Sequence, residues 1–307
     1  MASLVGRPDS ATMELSAATT MKFTTIATLF ATTAALRVAP PQMSTAAATR
    51  VATERYIAMN RFRVKPGREA AYEKRWADRK SQLGLREGFR FFCMLRRADG
   101  GPPPEDDVNF ISCTIWESKD NFDAWRTGDA FKEAHGGGTI GGIASMLLAT
   151  ARNTKGKPKL ASWEGLLPQS TTPSTPPAAW KQVEADGVTQ LDGEAFVAMN
   201  RFSVVEGSED AFEARFANRE STLASFDGFK GFMLLRREGT ADDGFTHSTW
   251  SLWRDRAAFE VWRDSEKRAG KPKPSAGGGG PPPNIFVRPP VPTFYESILV
   301  LESAKGV

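Results

Sequence analysis

The stretch YIAMNRFRVKPG at residues 56–67 returns as FVAMNRFSVVEG at residues 196–207, 140 positions later. Without a gap, Ala58–Arg97 and Ala198–Arg237 are identical at 21 of 40 positions. Self-similarity of this kind is the sequence signature of a duplicated structural unit. The chain therefore contains two copies of one folding unit, which we name copy one and copy two.

The two copies flank a segment rich in proline, serine and threonine, PQSTTPSTPPAAW at residues 168–180. Such a composition is typical of a polar spacer that does not join a packed core. The predicted organisation is a leader at residues 1–53, copy one at 54–168, a linker at 169–191 and copy two at 192–304.

The pattern within copy one predicts a β-α-β-β-α-β order. Residues 56–64 alternate apolar and polar side chains and end at a Pro-Gly turn, which indicates a strand. Helical spacing of apolar residues predicts helices at 68–83 and from about residue 119. Three further strands are predicted at FRFFCMLRR (89–97), NFISCTIWE (109–117) and about 158–167. This order is that of the split βαβ, ferredoxin-like plan, an antiparallel sheet with both helices on one face.

The second face of such a sheet also carries large apolar side chains and needs a cover. A second copy in the same chain supplies one. We therefore predict an α+β fold in which two ferredoxin-like repeats pack sheet to sheet as an intramolecular pseudo-dimer and form a closed α+β barrel.

Composition excludes several classes of function. Two cysteines in 307 residues, Cys93 and Cys113, rule out a disulfide framework, and we expect both to be buried. The net charge of +4 does not favour a nucleic-acid partner. The absence of any run of about 18 apolar residues argues against a membrane span. Only His135 and His247 are histidines, so a mechanism that needs several imidazoles is excluded.

The first 53 residues predict a targeting leader. No acidic residue occurs from Lys22 to Thr53. An apolar run at residues 26–36 has the length of a signal-peptide core, and a small, hydroxylated segment typical of transit peptides follows it. This order resembles the bipartite leaders of algae with complex plastids. We interpret it as plastid targeting, with the secretory pathway and a disordered Ala/Thr-rich tail as the alternatives.

Three motifs in copy one carry a family resemblance: MNRF at 59–62, WESKDNFDAW at 116–125 and FKEAH at 131–135. With them, copy one resembles the heme-degrading monooxygenases typified by the staphylococcal iron-surface-determinant (IsdG-type) enzymes. These are a branch of the antibiotic biosynthesis monooxygenase (ABM) superfamily of dimeric α+β barrels. The resemblance implies that heme is both substrate and cofactor, and it places the site at Asn60, Trp125 and His135.

The resemblance implies one role for each of these residues. His135 would be the axial ligand of the heme iron, a position for which neutral imidazole is the common donor. Trp125 would lie against the porphyrin and force it out of plane, and Asn60 would donate its amide to the oxygen species. O2 and an external electron donor, such as ferredoxin or an NADPH-dependent reductase, are the implied reaction partners.

Copy two departs from this pattern. It keeps Asn200 and Trp262, but Pro272 stands ten residues after that tryptophan. It also lacks GGGTIGGIASMLLA (136–149), which we expect to form a loop in copy one. The sequence therefore predicts one heme per chain, bound in copy one, with copy two as a structural half.

Other interpretations stay open at this point. Taken one at a time, each of the three site residues also has a purely structural interpretation. Asn60 could be a strand residue that bonds to nearby backbone, Trp125 a core residue, and His135 a residue at the end of a helix. As whole functions, a non-catalytic heme carrier and a cofactor-free oxygenase of an aromatic substrate remain. Five arginines that recur in copy two are candidate partners for heme propionates, although their recurrence indicates mostly structural roles: Arg61, Arg75, Arg79, Arg96 and Arg97.

We expect the protein purified from its native source to begin near Thr53, because a targeting leader is removed after import. Intact-mass spectrometry with N-terminal sequencing measures this. A native N-terminus at Met1 or Met21 would contradict the leader.

Overall fold

The structure is a computed structural model that describes residues 50–79, 82–103, 105–129, 131, 140–171, 182–269 and 285–307. The predicted leader up to residue 49, residues 172–181 of the linker, His135 and Pro272 lie outside the described residues. None of the described helices is both long enough and apolar enough to cross a membrane.

Each copy contributes four strands. Copy one holds β1 (Arg55–Phe62), α1 (Glu69–Ala77), β2 (Phe89–Arg97), β3 (Phe110–Trp116), α2 (Lys119–Thr127), α3 (Ile140–Asn153) and β4 (Lys159–Ser170). Copy two holds β5 (Ala195–Val204), α4 (Glu209–Ala217), β6 (Phe229–Arg237), β7 (His247–Trp253), α5 (Arg256–Ala269) and β8 (Phe286–Glu302). Short 3-10 turns at Leu83–Leu85 and Leu223–Ser225 precede β2 and β6.

The eight strands close into one antiparallel barrel in the order β1-β3-β2-β8-β5-β7-β6-β4. Within each copy the order is that of a ferredoxin-like sheet, β4-β1-β3-β2 and β8-β5-β7-β6. The copies meet at two seams, where β8 pairs with β2 and β4 pairs with β6. The predicted α+β fold, two ferredoxin-like repeats in a closed pseudo-dimeric barrel, is confirmed.

Local sequence explains the turns and helix starts that build each copy. The turn after the first strand needs a residue in the left-handed region, and Gly67 (φ +74°) and Gly207 (φ +80°) supply it in the two copies. Helix α2 begins after Ser118, whose hydroxyl accepts a hydrogen bond from the Asn121 backbone N–H at 3.2 Å. Asp255 caps α5 in the same way.

Strand alternation separates the barrel interior from the layer beneath the helices. Along β1, Ile57 and Met59 point into the interior core, whereas Tyr56 and Ala58 join the cluster beneath the helices of copy one. Cys93 and Cys113 lie directly opposite each other inside the barrel, completely buried and without a disulfide, as small apolar residues would.

A buried ion-pair cluster ties copy one to the last strand of copy two. The completely buried Glu73 of α1 accepts hydrogen bonds from Arg96 Nη1 at 2.8 Å and from the backbone N–H of Leu191 at 2.6 Å. Arg96 also donates to Glu296 on β8. One arginine therefore joins a helix and two strands across the seam.

The equivalent cluster in copy two contains a histidine. The completely buried Glu213 accepts two hydrogen bonds from Arg236 Nη1, at 2.8 and 2.9 Å, and lies 3.1 Å from His247 Nε2. Arg236 Nε donates to Glu164 on β4 at 2.5 Å. His247 is thus a structural residue, in agreement with its position far from the predicted motif.

One expectation from the sequence is wrong. The stretch at 136–149 was expected to form a loop, but Ile140–Asn153 is the helix α3. Alanine, methionine and leucine favour a helix enough to tolerate Gly141 within it. Its last turn is held by the Lys65 N–H, which donates to the carbonyl of Asn153 at 2.8 Å.

Glu213→Gln should destabilise the fold by about 3 kcal/mol at pH 7, because removing one partner of a buried ion pair leaves the other uncompensated. Burial alone would raise the pKa of Glu213, but the bonds from His247 and Arg236 more than offset this and lower it. Its stabilisation is therefore complete above the ordinary carboxyl pKa of about 4.3 and is lost as the pH falls through the lower folded value.

Urea unfolding at a series of pH values measures this effect. The difference between the wild type and Glu213→Gln should shrink as the pH falls from about 4 through the lower folded pKa of Glu213, below which both proteins carry a neutral side chain. Glu266→Gln, which removes an exposed partner of Arg219, is the control and should change stability by less than about 0.5 kcal/mol. A constant difference at all pH values would contradict the argument.

Candidate functional site

Asn60 lies on the outer side of β1, toward the helix layer of copy one. It is half-buried and pairs in register with Ser112 on β3 and Leu160 on β4. Its amide Nδ2 donates to Ser112 Oγ at 3.4 Å, a long and weak hydrogen bond. The amide group can therefore exchange this partner for another at small cost.

The surface beside Asn60 is apolar and uncovered. Leu160 is its direct neighbour on the same face of the sheet and is 58% exposed. On α3, Leu147 and Leu148 are also exposed, at 58% and 73%. An exposed leucine paired with a polar amide is suited to an apolar ligand with one polar centre.

Trp125 lies on α2 in the same layer and is half-buried. Its ring packs against Trp116 with centroids 5.3 Å apart and meets Phe131 edge-on at 4.9 Å. The sequence assigned Trp125 to a ligand-facing position, and the structure shows that much of its surface belongs to an aromatic cluster.

A chain of contacts relates Trp125 to Asn60. Trp125 packs on Phe122, and Phe122 packs on Tyr56 with centroids 5.1 Å apart. Asn60 follows Tyr56 by four residues on β1, about 13 Å further along the strand at about 3.3 Å per residue. The structure thus brings both residues to the outer face of the copy-one sheet, at separate points along β1.

His135 cannot be compared with its predicted position, because residues 132–139 lie outside the described part of the chain. Phe131 is the last described residue before it and contacts Trp125; Ile140 begins α3 after it.

Copy two repeats the aromatic arrangement. Trp262 stacks on Trp253 with centroids 5.5 Å apart, as Trp125 does on Trp116. This tryptophan pair is therefore a feature of the fold in both copies. Asn200 also recurs on the outer face, where its backbone N–H donates to Thr249 Oγ1 at 3.1 Å.

Of the five arginines of copy one that recur in copy two, three have hydrogen-bond partners elsewhere in the chain. Arg61 donates to Asp242 and Asp243, and Arg96 belongs to the Glu73 cluster described above. Arg97 donates to the carbonyl of Pro102 at 2.5 Å. These three arginines either point away from the Asn60 surface or already donate to another group.

Of the remaining two, Arg75 lies on α1 and Arg79 follows the end of that helix by two residues. Arg75 donates to Thr150 on α3 at 3.2 Å, and the Arg79 guanidinium lies 3.5 Å from the ring centroid of Trp76. Burial, and then the charge of Arg75, lower the pKa of Arg79 to about 10, so it stays cationic at pH 7. Among the described residues no carboxylate pairs with Arg79, whereas its counterpart Arg219 pairs with Glu266 at 3.0 Å.

The sequence missed two parts of this surface. Helix α3 with its exposed leucines was interpreted as a loop, and Leu160 became a neighbour of Asn60 only through the pairing of β1 with β4. A helical spacing of apolar residues after Ile140 was the one signal that could have shown α3.

The family comparison agrees with this architecture. The model of the family described as antibiotic biosynthesis monooxygenase matches residues 55–137 and 195–269, one segment in each copy and together more than half of the chain. The chain belongs to the antibiotic biosynthesis monooxygenase (ABM) family, with the domain present twice. No curated protein matches the chain.

Solved structures show the same fold at low identity. A protein assigned as a monooxygenase from Fusobacterium nucleatum subsp. nucleatum ATCC 25586 superposes with a TM-score of 0.50 at 10% identity, covering 83% of this chain and 97% of that one. An anthrone oxidase-like protein superposes with a TM-score of 0.46 at 12% identity, covering 83% and 96%. At such identities the likeness concerns the fold alone.

Asn60→Ala should change the free energy of unfolding by less than about 1 kcal/mol, because only one long, neutral hydrogen bond is lost. Asn109→Ala is the matched control: its amide accepts from the Val64 N–H at 2.7 Å and donates to the Val64 carbonyl at 3.0 Å. That variant should lose about 1–3 kcal/mol, the cost of unpaired buried backbone groups. Equal losses in urea unfolding would mark Asn60 as a structural residue.

Proposed function

We propose that copy one binds heme on the outer face of β1 and opens the porphyrin ring in an oxidation that consumes O2 and external electrons and releases the iron. The observation that carries the proposal is the Asn60 amide, weakly bonded and set in an uncovered apolar surface. Family membership supports oxygenation as the general class of reaction.

The described residues fit a heme in three respects. Leu160 and the exposed leucines of α3 offer apolar surface to a porphyrin plane. Arg79 is a cation without a carboxylate partner among the described residues, which suits a propionate. The predicted ligand His135 stands in the chain between Phe131, which contacts Trp125, and α3.

In this proposal each of the three site residues has its own role. His135 would hold the heme iron, since neutral imidazole is a common donor to it. The heme would supply the metal centre at which O2 is activated. Asn60 would donate its amide hydrogen bond into the site, and the half-buried setting would strengthen that bond relative to water. Trp125, held by its packing on Trp116, limits how the ring can lie.

Electrons for the reaction come from a partner in this proposal. If the leader directs the protein to a plastid, ferredoxin is a suitable donor by location, and an NADPH-dependent reductase is the general alternative. The chain then contributes position and hydrogen bonding, and the partner contributes reducing equivalents.

A second function draws on the symmetry of the molecule. Asn60 and Trp125 recur as Asn200 and Trp262, in a copy where proline replaces the histidine. A cofactor-free oxygenation of an aromatic substrate would need no histidine and could use both copies. This candidate predicts that His135→Ala has no effect on activity, so the histidine variant separates it from heme degradation.

Titration with hemin should show one site per chain, and His135→Ala should abolish the Soret shift, because the imidazole is the proposed iron ligand. Absorbance spectroscopy measures both. The copy-two variants Asn200→Ala and Trp262→Phe are the matched controls and should bind hemin as the wild type does. Two hemes per chain, or a Soret shift unchanged by His135→Ala, would contradict the proposal.

Turnover distinguishes an enzyme from a heme carrier. With a reductant and air, the wild-type Soret band should disappear with release of one iron per heme. Asn60→Ala should still bind hemin but lose about 10²-fold or more in rate, the usual cost of removing one preorganised donor. A persistent ferrous complex in the wild type would support carriage instead of cleavage.

A further inference from the structure

A second polar site lies on the other side of β1, at one end of the barrel. Asn60 points outward and its neighbour Arg61 points inward, toward a cleft of about 260 Å³. Its walls include Arg61, Asp106, Lys159, Arg201, Asp243 and Phe245. We name this cleft the barrel mouth. It is separated from the proposed heme surface by the sheet itself.

The barrel mouth has a closed floor. Below it, Met59, Met199, Trp163 and Tyr295 line a narrow extension of about 30 Å³, room for about one water molecule. A ligand therefore stays at the mouth and does not enter the barrel. The mouth itself, at about 260 Å³, has room for a small anion.

The carboxylates at the mouth are already paired. Asp242 and Asp243 each accept from Arg61, at 2.5 and 2.6 Å, and from Arg237, at 3.1 and 3.4 Å. Asp242 also lies 3.4 Å from the Lys159 ammonium. The two remaining carboxylates are paired as well, Asp106 with Arg61 at 3.6 Å and Glu105 with Arg288 at 3.1 Å.

Two cations have no such partner among the described residues, Arg201 at the mouth and Arg97 in the narrow extension below it. Arg201 is the copy-two counterpart of Arg61, and Arg97 is the counterpart of Arg237. Within the described part of the chain, neither Arg97 nor Arg201 lies within 4.0 Å of a carboxylate. The Arg201 guanidinium lies 4.2 Å from the ring centroid of Phe245, and its Nε is buried without a hydrogen-bond partner.

Arg237, which is almost completely buried, adds a further hydrogen-bond donor without a partner. The Arg237 side chain is 4% exposed, and its Nη1 is buried without a partner although Nη2 serves the two aspartates. Arg61 Nε, in a side chain 7% exposed, is also without one. Buried donors without partners are costly, so the arrangement is suited to an acceptor with several oxygen atoms.

We propose that the barrel mouth binds a small oxyanion, a phosphate or a carboxylate, held by Arg201 and by the unpartnered Nη1 of Arg237. The planar guanidinium presents paired N–H groups that match two oxygens of such an anion. The five cations and four carboxylates that line the mouth and its narrow extension leave one positive charge for the anion to balance. This site is independent of the proposed heme chemistry.

Isothermal titration of the full chain with inorganic phosphate, and in a second arm with citrate, tests the site. Ionic strength is matched with sodium chloride so that screening is constant. We expect saturable binding in at least one arm, and the arm that binds more tightly identifies the source of the oxyanion. Arg201→Met should weaken that binding about tenfold or more, as expected for a lost charge-assisted hydrogen bond.

Arg201→Lys and Arg254→Met complete the experiment. Lysine keeps the charge without the planar fork, so it should weaken binding less than methionine does. Arg254 is exposed and paired with Asp227 and Asp255 after β7, so its loss should leave binding unchanged. The proposal is overturned if neither anion binds saturably, or if folded Arg201→Lys and Arg201→Met both bind as the wild type does.

Discussion

Two buried carboxylates, Glu73 and Glu213, constrain the whole molecule. A buried charge is stable only when it is paired and hydrogen-bonded, and each of these pairs with an arginine on the second strand of its own copy. That arginine also bonds a glutamate on the last strand of the other copy, Glu296 or Glu164. Neither copy can complete its cluster alone, so the charge requirement of each half is met only when the barrel closes. The tandem arrangement places the required partner in the same chain.

Duplication within one chain allows equivalent positions to diverge, which two identical subunits cannot do. Arg219 is neutralised by Glu266, whereas its counterpart Arg79 stacks on Trp76 beside the candidate site. His247 occupies a buried position that copy one fills with Phe110. The shared elements, such as the stacked tryptophan pairs, are those the fold needs in both halves. Arg79, a cation that no carboxylate of the described residues neutralises, is the difference that lies beside the candidate site of copy one.

Local patterns in the sequence predicted the elements whose formation depends on local chemistry. FRFFCMLRR has the apolar and aromatic content of a strand, and β2 has its bounds. Asn60 was likewise predicted within a strand, and it lies on β1. The bond between Arg96 and Glu296 joins residues 200 positions apart and depends on which strands meet at the seam. Exposure of Leu160 likewise depends on register and on what covers β4, so no local pattern could show it.

The two proposed sites are adjacent on β1, yet the geometry of a strand keeps them separate. Asn60 and Arg61 are consecutive residues and therefore lie on opposite faces. Arg61 is held by the two aspartates of copy two, which fixes this part of β1 in position and orientation. A strand anchored from inside the barrel presents the Asn60 amide on its outer face with little freedom, and preorganised donors are the effective ones in catalysis. The charges of the barrel mouth thus contribute to the candidate site through the backbone, without any contact with its ligand.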